Sequence, residues 1–317
     1  MKKILITGGA GFIGSHLTEK LLERGDIVVV IDNFNRFYSP KRKRENLKRA
    51  KISKNFFLQK SDIRDRAAIK SIFSKYSIDV VVHLAAMAGV RPSIENPKLY
   101  TDVNVLGTVN VLEQIKDFGI KQLIFASSSS VYGNRSKGPF KESDETDEQI
   151  SPYGATKKSG ELLCHVYAHL YGIKTTSLRF FTVYGPRNRP DMACFKFVDA
   201  LMRDLPIMKF GKGETGRDYT YIDDIVDGIV CSIDKPFDFE IVNLGNSSPV
   251  KLNKLIKVVE GAIGKKAKIK ELPIQPGDVE LTFANIDKAN KLLDWKPKTK
   301  LKNGINNLIE WYKDIYA

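Results

Sequence analysis

No apolar run in the chain approaches the roughly 18 residues that a membrane-spanning helix needs. Met1-Lys2-Lys3 leads straight into a strand-like Ile4-Leu5-Ile6, with no leader pattern. A soluble, unprocessed, cytoplasmic protein is expected. Cysteine is scarce: Cys164, Cys194 and Cys231 are scattered and odd in number. Neither a disulfide framework nor a metal site fits that usage, so the three are read as small packing residues and no metal is expected. Internal repeats and low-complexity segments are also missing. Only Lys137 to Gln149 is conspicuously polar, as a surface loop would be. Acid is short, with 37 Asp and Glu against 51 Lys and Arg, for a formal charge of +14. The densest basic run, Lys41-Arg42-Lys43-Arg44 through Lys48, Arg49 and Lys51, lacks interleaved aromatics. A solvated helix face is expected there, with no nucleic-acid partner. A positive field still draws in ligands that carry phosphates.

What the chain does have is a regular alternation. At 317 residues and 42% hydrophobic, it can build one large α/β unit with a smaller appendage. Strand-like runs at Ile4–Ile6, Ile27–Ile31, Phe56–Leu58, Val80–Leu84, Leu123–Ala126 and Thr175–Leu178 have helical patterns between them. Continuous apolar strands in that order predict a Rossmann-type, doubly wound parallel sheet. The first strand runs into Thr7-Gly8-Gly9-Ala10-Gly11-Phe12-Ile13-Gly14, and a helix with Leu17, Leu21 and Leu22 on one side follows, stopped at Gly25. Gly8, Gly11 and Gly14 allow a tight turn, close approach to a pyrophosphate and close helix–strand packing, and the helix N-terminus offers free N–H groups. The second strand ends at Asp32, where an acid binds ribose hydroxyls and repels a 2′-phosphate. NAD is therefore expected, with Arg36 and the nearby basic run keeping NADP as the alternative. Asp62-Ile63 should face the adenine, and Leu84-Ala85-Ala86 leave room at the sheet's carboxyl edge. His83 reads as a packed core residue.

The chemistry gathers in Ser151-Pro152-Tyr153-Gly154-Ala155-Thr156-Lys157. Four residues apart on a helix, Tyr153 and Lys157 share a face. A phenol titrates near 10, and bringing it to about 7 takes roughly 3 units, or about 4 kcal/mol. One exposed ammonium does not supply that, so a second fixed positive charge is implied, for which an oxidised nicotinamide is the natural candidate. The fifth strand empties into Ser127-Ser128-Ser129-Ser130, where Ser128 can share the proton of a substrate hydroxyl with Tyr153.

In their order, Gly8 to Gly14, Asp32, Asp62, Ser128, Tyr153 and Lys157 resemble the extended short-chain dehydrogenase/reductase superfamily. Ala85-Ala86-Met87-Ala88-Gly89-Val90-Arg91-Pro92-Ser93, Arg179 to Pro186 and Arg189-Pro190-Asp191-Met192-Ala193 resemble the nucleotide-sugar 4-epimerases that act on UDP-glucuronate. The resemblance implies oxidation at sugar C4 by tightly bound NAD, rotation of the 4-keto sugar, and reduction on its other face. It adds Phe12, Ile13, Asn33, Asn104 and Phe180 to the cofactor residues. For the sugar and its carboxylate it implies Arg91, Ser93, Ser128, Ser129, Ser130, Thr182 and Arg189. Phe210 falls in the uracil segment, and Arg217 in the diphosphate clamp, with a salt bridge to Asp218 or Asp223 as its structural alternative. Gln275 departs from the relatives' second arginine, while Asp278 is left as a ribose ligand. Related decarboxylases have a glutamate at Ser130. The implied organisation is an NAD-binding domain over 1–180, rejoined at about 217–245, with a UDP-sugar-binding domain over 181–216 and 246–317. A homodimer is implied through the helix that starts at Tyr153 and the one near Asn104 to Phe118. Leu162, Val166 and Leu170 form a stripe that suits either a partner or the protein's own sheet. The tail from Ala289, with Trp295, Trp311 and Tyr312, should be core. The competing readings are a 4-epimerase of UDP-glucose or a UDP-N-acetylhexosamine, a decarboxylase or dehydratase, and a non-catalytic NAD-binding regulator.

Overall fold

The computed structural model describes residues 1–135, 138–273 and 279–316. Six strands, β1 (Lys3–Thr7), β2 (Ile27–Asp32), β3 (Phe56–Lys60), β4 (Val80–His83), β5 (Gln122–Ser128) and β6 (Lys174–Phe180), join Phe239–Leu244 in one parallel sheet. The order across it is Phe239–Leu244, β6, β5, β4, β1, β2, β3. Alternate residues feed two cores: Ile4, Ile6, Val28 and Val30 on one face, Leu5, Val29 and Ile31 on the other. Both faces are covered, which is why the strands read as unbroken apolar runs. The chain has the doubly wound α/β fold, and the order reverses between β1 and β4, where a crevice opens at the strands' carboxyl ends.

A second sheet sets Gly216–Tyr221 against Thr182–Tyr184, Pro249–Lys251 and Leu281–Thr282, and Ile207–Phe210 pairs with Ile269–Leu272. The return to the first sheet therefore begins with the helix Ile222–Asp234 rather than at 217, since Gly216–Tyr221 belongs to the second. Trp295, Leu308, Ile309 and Tyr312 are buried in the same cluster as Ile4 and Val82, so the tail is core and the two parts share it. In the polar stretch before the tyrosine helix, Phe140 is buried and exchanges backbone hydrogen bonds with Phe283 and Asn285, both 2.8 Å.

The basic run is not simply a solvated face. Its helix, Pro40–Asn46, packs along the crevice, and one side points inward. Lys43 is buried and donates from Nζ to Asn35 Oδ1 at 3.0 Å. Arg42 donates to the Asn188 carbonyl at 2.6 Å and lies over the rings of Phe195 at 4.8 Å and Trp311 at 5.2 Å. Lys41, Arg44, Lys48, Arg49 and Lys51 remain exposed.

His83 is a core residue, bonded to Thr7 Oγ1 at 2.6 Å and Thr108 Oγ1 at 3.0 Å. Thr108 gives its own proton to the Asn104 carbonyl, so it accepts from His83 Nε2, and Nδ1 accepts from Thr7. Burial first, then the Lys157 charge, pulls this imidazole down to about 3. Unfolded histidine takes its proton near 6.5, so stability should fall by about 1.4 kcal/mol for each pH unit below about 6, down to pH 3. Thermal melts of the wild type and His83→Gln across pH 7 to 4 check this, the variant losing one histidine's share of the slope.

Candidate active site

The crevice holds a cleft of about 410 Å³ between the ends of β1, β2, β4 and β5. The helix Phe12–Glu23 enters it without a capping side chain and without an acid in its first turn, and its first residues, Phe12, Ile13 and Gly14, line the cleft. Gly8 has φ +73, and a Cβ on Gly14 would lie 2.3 Å from Gly8 O. The turn is thus packed backbone on backbone. Asp32 accepts from Ala10 N at 3.1 Å and Phe34 N at 2.8 Å. Burial raises its pKa, with Lys43 and those two N–H groups opposing. Asp62 is held by Arg64 and by Asn33 Nδ2 at 2.8 Å, and Arg64 leads in bringing it down to about 2. Phe12, Ile13, Asn33, Ile63, Leu84, Ala85, Ala86 and Phe180 complete the expected wall.

Tyr153 and Lys157 rise from the helix Pro152–Tyr171. Ser151 caps it by accepting from Gly154 N at 3.1 Å, Pro152 opens it, and Gly172 closes it at φ +63. Burial raises the Tyr153 phenol's pKa, opposed by Ser128 and then Arg189, while Ser128 Oγ itself donates to Ser130 Oγ at 3.2 Å and accepts from Ser130 N at 3.1 Å. Lys157 turns elsewhere. Its Nζ donates to the Ala126 carbonyl at 2.7 Å, and burial brings the ammonium down to about 8. In this structure Arg189 is the cation that opposes burial at the phenol, and the Lys157 ammonium is bonded to the end of β5.

A second cleft, about 370 Å³, adjoins the first. Gly89, Ser129, Ser130, Thr182 and Arg189 line both, so the hydroxyl row and one guanidinium stand where the two meet. Asp191 grips Arg189 at Nε (3.0 Å) and Nη2 (2.6 Å). Arg91, Lys196 and Arg217 line the second cleft farther out.

Among the described residues, the walls of the two clefts take in neither Arg36, Ser93, Asn104 nor Phe210. Arg36 is exposed, and Lys43 occupies the wall near Asp32 in its place. Ser93 is fully buried, donating to the Val90 carbonyl at 2.5 Å and accepting from Tyr153 N at 3.1 Å; it fixes the start of the tyrosine helix. Asn104 bonds both Met87 backbone groups and Thr156, pinning a cleft loop from behind. Phe210 stands beside the cleft's lining, its ring 4.8 Å from the Arg91 guanidinium. Asp218 is taken up by the N–H groups of Asn246, Ser247 and Ala284. Gln275 and Asp278 lie outside the described residues. Lys43, Asp191 and Lys196 were not anticipated. A lysine in a basic run or on an amphipathic helix carries no mark of facing inward, and only the Arg189–Asp191 spacing hinted at a pair.

The family model described as GDP-mannose 4,6 dehydratase matches residues 5–308. The chain belongs to that family. Within the family, it is 47% identical over 311 residues to a UDP-glucuronate 4-epimerase of Thermodesulfobacterium geofontis, covering 98% of this chain and 96% of the relative. The crystal structure of UDP-glucuronic acid 4-epimerase from Bacillus cereus, in complex with UDP-glucuronic acid and NAD, superposes with a TM-score of 0.94 at 37% identity, covering 99% of this chain and 100% of that one. A UDP-glucose 4-epimerase from Thermotoga maritima with UDP-glucose gives 0.92 at 34% identity, with the same coverage. No helix among the described residues is long and apolar enough to cross a membrane.

Proposed function

We propose that this member of the family is an NAD-dependent UDP-glucuronate 4-epimerase, interconverting UDP-glucuronate and UDP-galacturonate. The observation that carries the reading is Arg189 at the junction of the two clefts, beside Tyr153 and the Ser129, Ser130 and Thr182 hydroxyls. A guanidinium and a row of hydroxyls suit a sugar carboxylate. The first cleft fits NAD: its helix N-terminus is uncapped, Asp32 stands at the ribose position, and Ala85 and Ala86 leave space. Gly8 to Gly14 would hold the pyrophosphate, Asp32 the adenosine ribose, Asp62 and Ile63 the adenine, and Lys157 the nicotinamide ribose. Bound there, NAD would supply a reversible hydride acceptor for sugar C4.

The chain's own groups handle the proton and the orientation. Tyr153, as the phenolate, takes the O4 proton, with the Ser128 hydroxyl in the same cleft to share it, and returns it after the sugar has turned. The positive charge of Arg189 offsets the cost of a buried phenolate. A 4-keto uronate is a β-keto acid, which loses carbon dioxide when its carboxylate bond aligns with the carbonyl π system. Arg189, Ser129, Ser130 and Thr182 hold the carboxylate out of that alignment, and no glutamate stands at 130 to favour its departure. Arg217, Arg91 and Lys196 meet the diphosphate, whose charge the basic wall attracts.

Arg189→Ala should weaken UDP-glucuronate binding about 30- to 100-fold, the equivalent of about 2–3 kcal/mol for a partly buried charge pair. UDP-glucose should change by about threefold or less. Isothermal titration of both nucleotides against both proteins checks this. Equal losses would move the assignment to a neutral-sugar 4-epimerase.

The protein acts as a homodimer. Leu162, Val166 and Leu170 are 55%, 45% and 60% exposed, so the stripe faces away from the protein's own sheet. An apolar helix face of this kind is unusual on a monomer and suits burial against a second copy. Val166→Asp with Leu170→Lys should halve the solution mass by light scattering; an unchanged mass would place the interface elsewhere.

A further inference from the structure

The tyrosine helix carries a third titratable residue in the same register. Tyr153, Lys157 and Glu161 stand four residues apart, on one face against β5. Three consecutive β5 residues lie opposite them: the Ala126 carbonyl takes Lys157 Nζ at 2.7 Å, Ser127 Oγ donates to Glu161 Oε1 at 2.6 Å, and Ser128 lines the first cleft together with Tyr153. Gly160 presses the helix onto the strand, since a Cβ there would lie 2.3 Å from the Phe125 ring. Glu161 also takes Arg179 in a two-pronged pair, Nε to Oε1 and Nη2 to Oε2, both 2.8 Å, with the side chains 1% and 2% exposed. Arg179 lies over the Tyr132 ring at 4.7 Å, and Tyr132 reaches Asn243 at 2.7 Å, so the contacts span β5, β6 and Phe239–Leu244.

A buried ion pair of this kind is a poor source of stability relative to apolar packing, and its best-attested use is to fix register. We propose that Glu161 is a positioning residue for the epimerase reaction: held by Ser127 and Arg179 one helical turn from Lys157, its carboxylate is the anion that keeps the Lys157 side chain in place at the Ala126 carbonyl in an apolar wall. The proposal rests on the roles of Tyr153 and Lys157 given above. Glu161 itself lines neither cleft.

The groups facing Lys157 bear this out. Burial lowers the ammonium, and Cys164 and Glu161 act against it. Cys164 is kept protonated by its own burial, so at neutral pH the opposing charge is that of Glu161. From β4, His83 is neutral; from β5, Lys157 meets the Ala126 carbonyl and the Phe125 ring; on its own helix stands Tyr153, a phenol whose pKa burial raises; Arg179 on β6 is a cation that Glu161 already pairs. Without Glu161, two buried cations share one apolar region with no anion between them.

The test uses Glu161→Gln, which keeps the shape and an oxygen for Ser127, beside the double variant Glu161→Gln with Arg179→Met. In the single variant we expect kcat to fall 10- to 100-fold with KM changed less than threefold. The alkaline limb of kcat should move about one pH unit lower. The double variant should regain the melting temperature, because no unpaired guanidinium remains, while the low kcat and shifted limb persist. Recovery of kcat and pH profile in the double variant would show that Glu161 merely neutralises Arg179, and overturn the proposal. So would an unchanged profile in the single variant. Lysine Cε NMR of the ¹³C-labelled protein, with Lys157 assigned by Lys157→Met, reads the same shift without turnover. It therefore separates failure of this proposal from failure of the substrate assignment.

Discussion

Tyr153→Phe should lower kcat about 10²- to 10⁴-fold, the span typical of losing a positioned acid–base group, while leaving NAD and UDP-glucuronate affinity within about twofold. The ring keeps its place: it packs edge-on against Tyr100 at 6.2 Å, and its backbone N–H still donates to Ser93. Only the phenol oxygen is removed. Initial rates together with titration of both ligands check this. A parallel loss of affinity would mean that the hydroxyl binds rather than reacts.

Gly14→Ala should nearly abolish cofactor binding. The new methyl would lie 2.3 Å from Gly8 O, 2.7 Å from Gly9 Cα and 3.0 Å from Gly8 C, all of them backbone atoms that no rotamer change can move. The helix must back away from the turn after β1, which costs about 1–3 kcal/mol as overpacking. Its N-terminal N–H groups leave the pyrophosphate position in the process. Losing two hydrogen bonds to a charged group, at about 1.5–3 kcal/mol each, corresponds to at least about a hundredfold in NAD affinity. Gly261→Ala is the control: a methyl there meets nothing within 4 Å, and alanine is the better helix former by about 0.5–1 kcal/mol. Fluorescence titration with NAD and thermal melts of both variants check the contrast. Equal affinity in Gly14→Ala and wild type would place the dinucleotide elsewhere.

These two residues mark what the sequence made legible. Gly8 to Gly14, Asp32 and the four-residue step from Tyr153 to Lys157 work through backbone conformation and local spacing, which a sequence displays directly. Residues whose role depends on where a loop comes to rest were read less well. Lys43 looked like one more exposed lysine, yet its helix lies along the crevice and turns it inward. Ser93 and Asn104 sit inside segments typical of the family, but a segment holds scaffold as well as contacts, and both bond backbone behind the cleft. Lys157 shares a face with Tyr153, but its ammonium is drawn to the Ala126 carbonyl, a partner supplied by a strand 31 residues away in sequence. Helical spacing could not reveal that preference. The stripe at Leu162, Val166 and Leu170 could not reveal its own direction either, because its period is the same whether the helix faces a partner or its sheet.

The central claim is inversion at C4 of a uronic acid with the carboxylate kept. Incubating the protein with UDP-glucuronate and NAD, and following the sugar ring protons by NMR, tests it most directly. The account predicts appearance of the galacturonate H4 signal and approach to a mixture of the two epimers, with no carbon dioxide released and no net reduction of NAD. A pentose product with carbon dioxide, an accumulating 4-keto sugar, or turnover of UDP-glucose alone would contradict it.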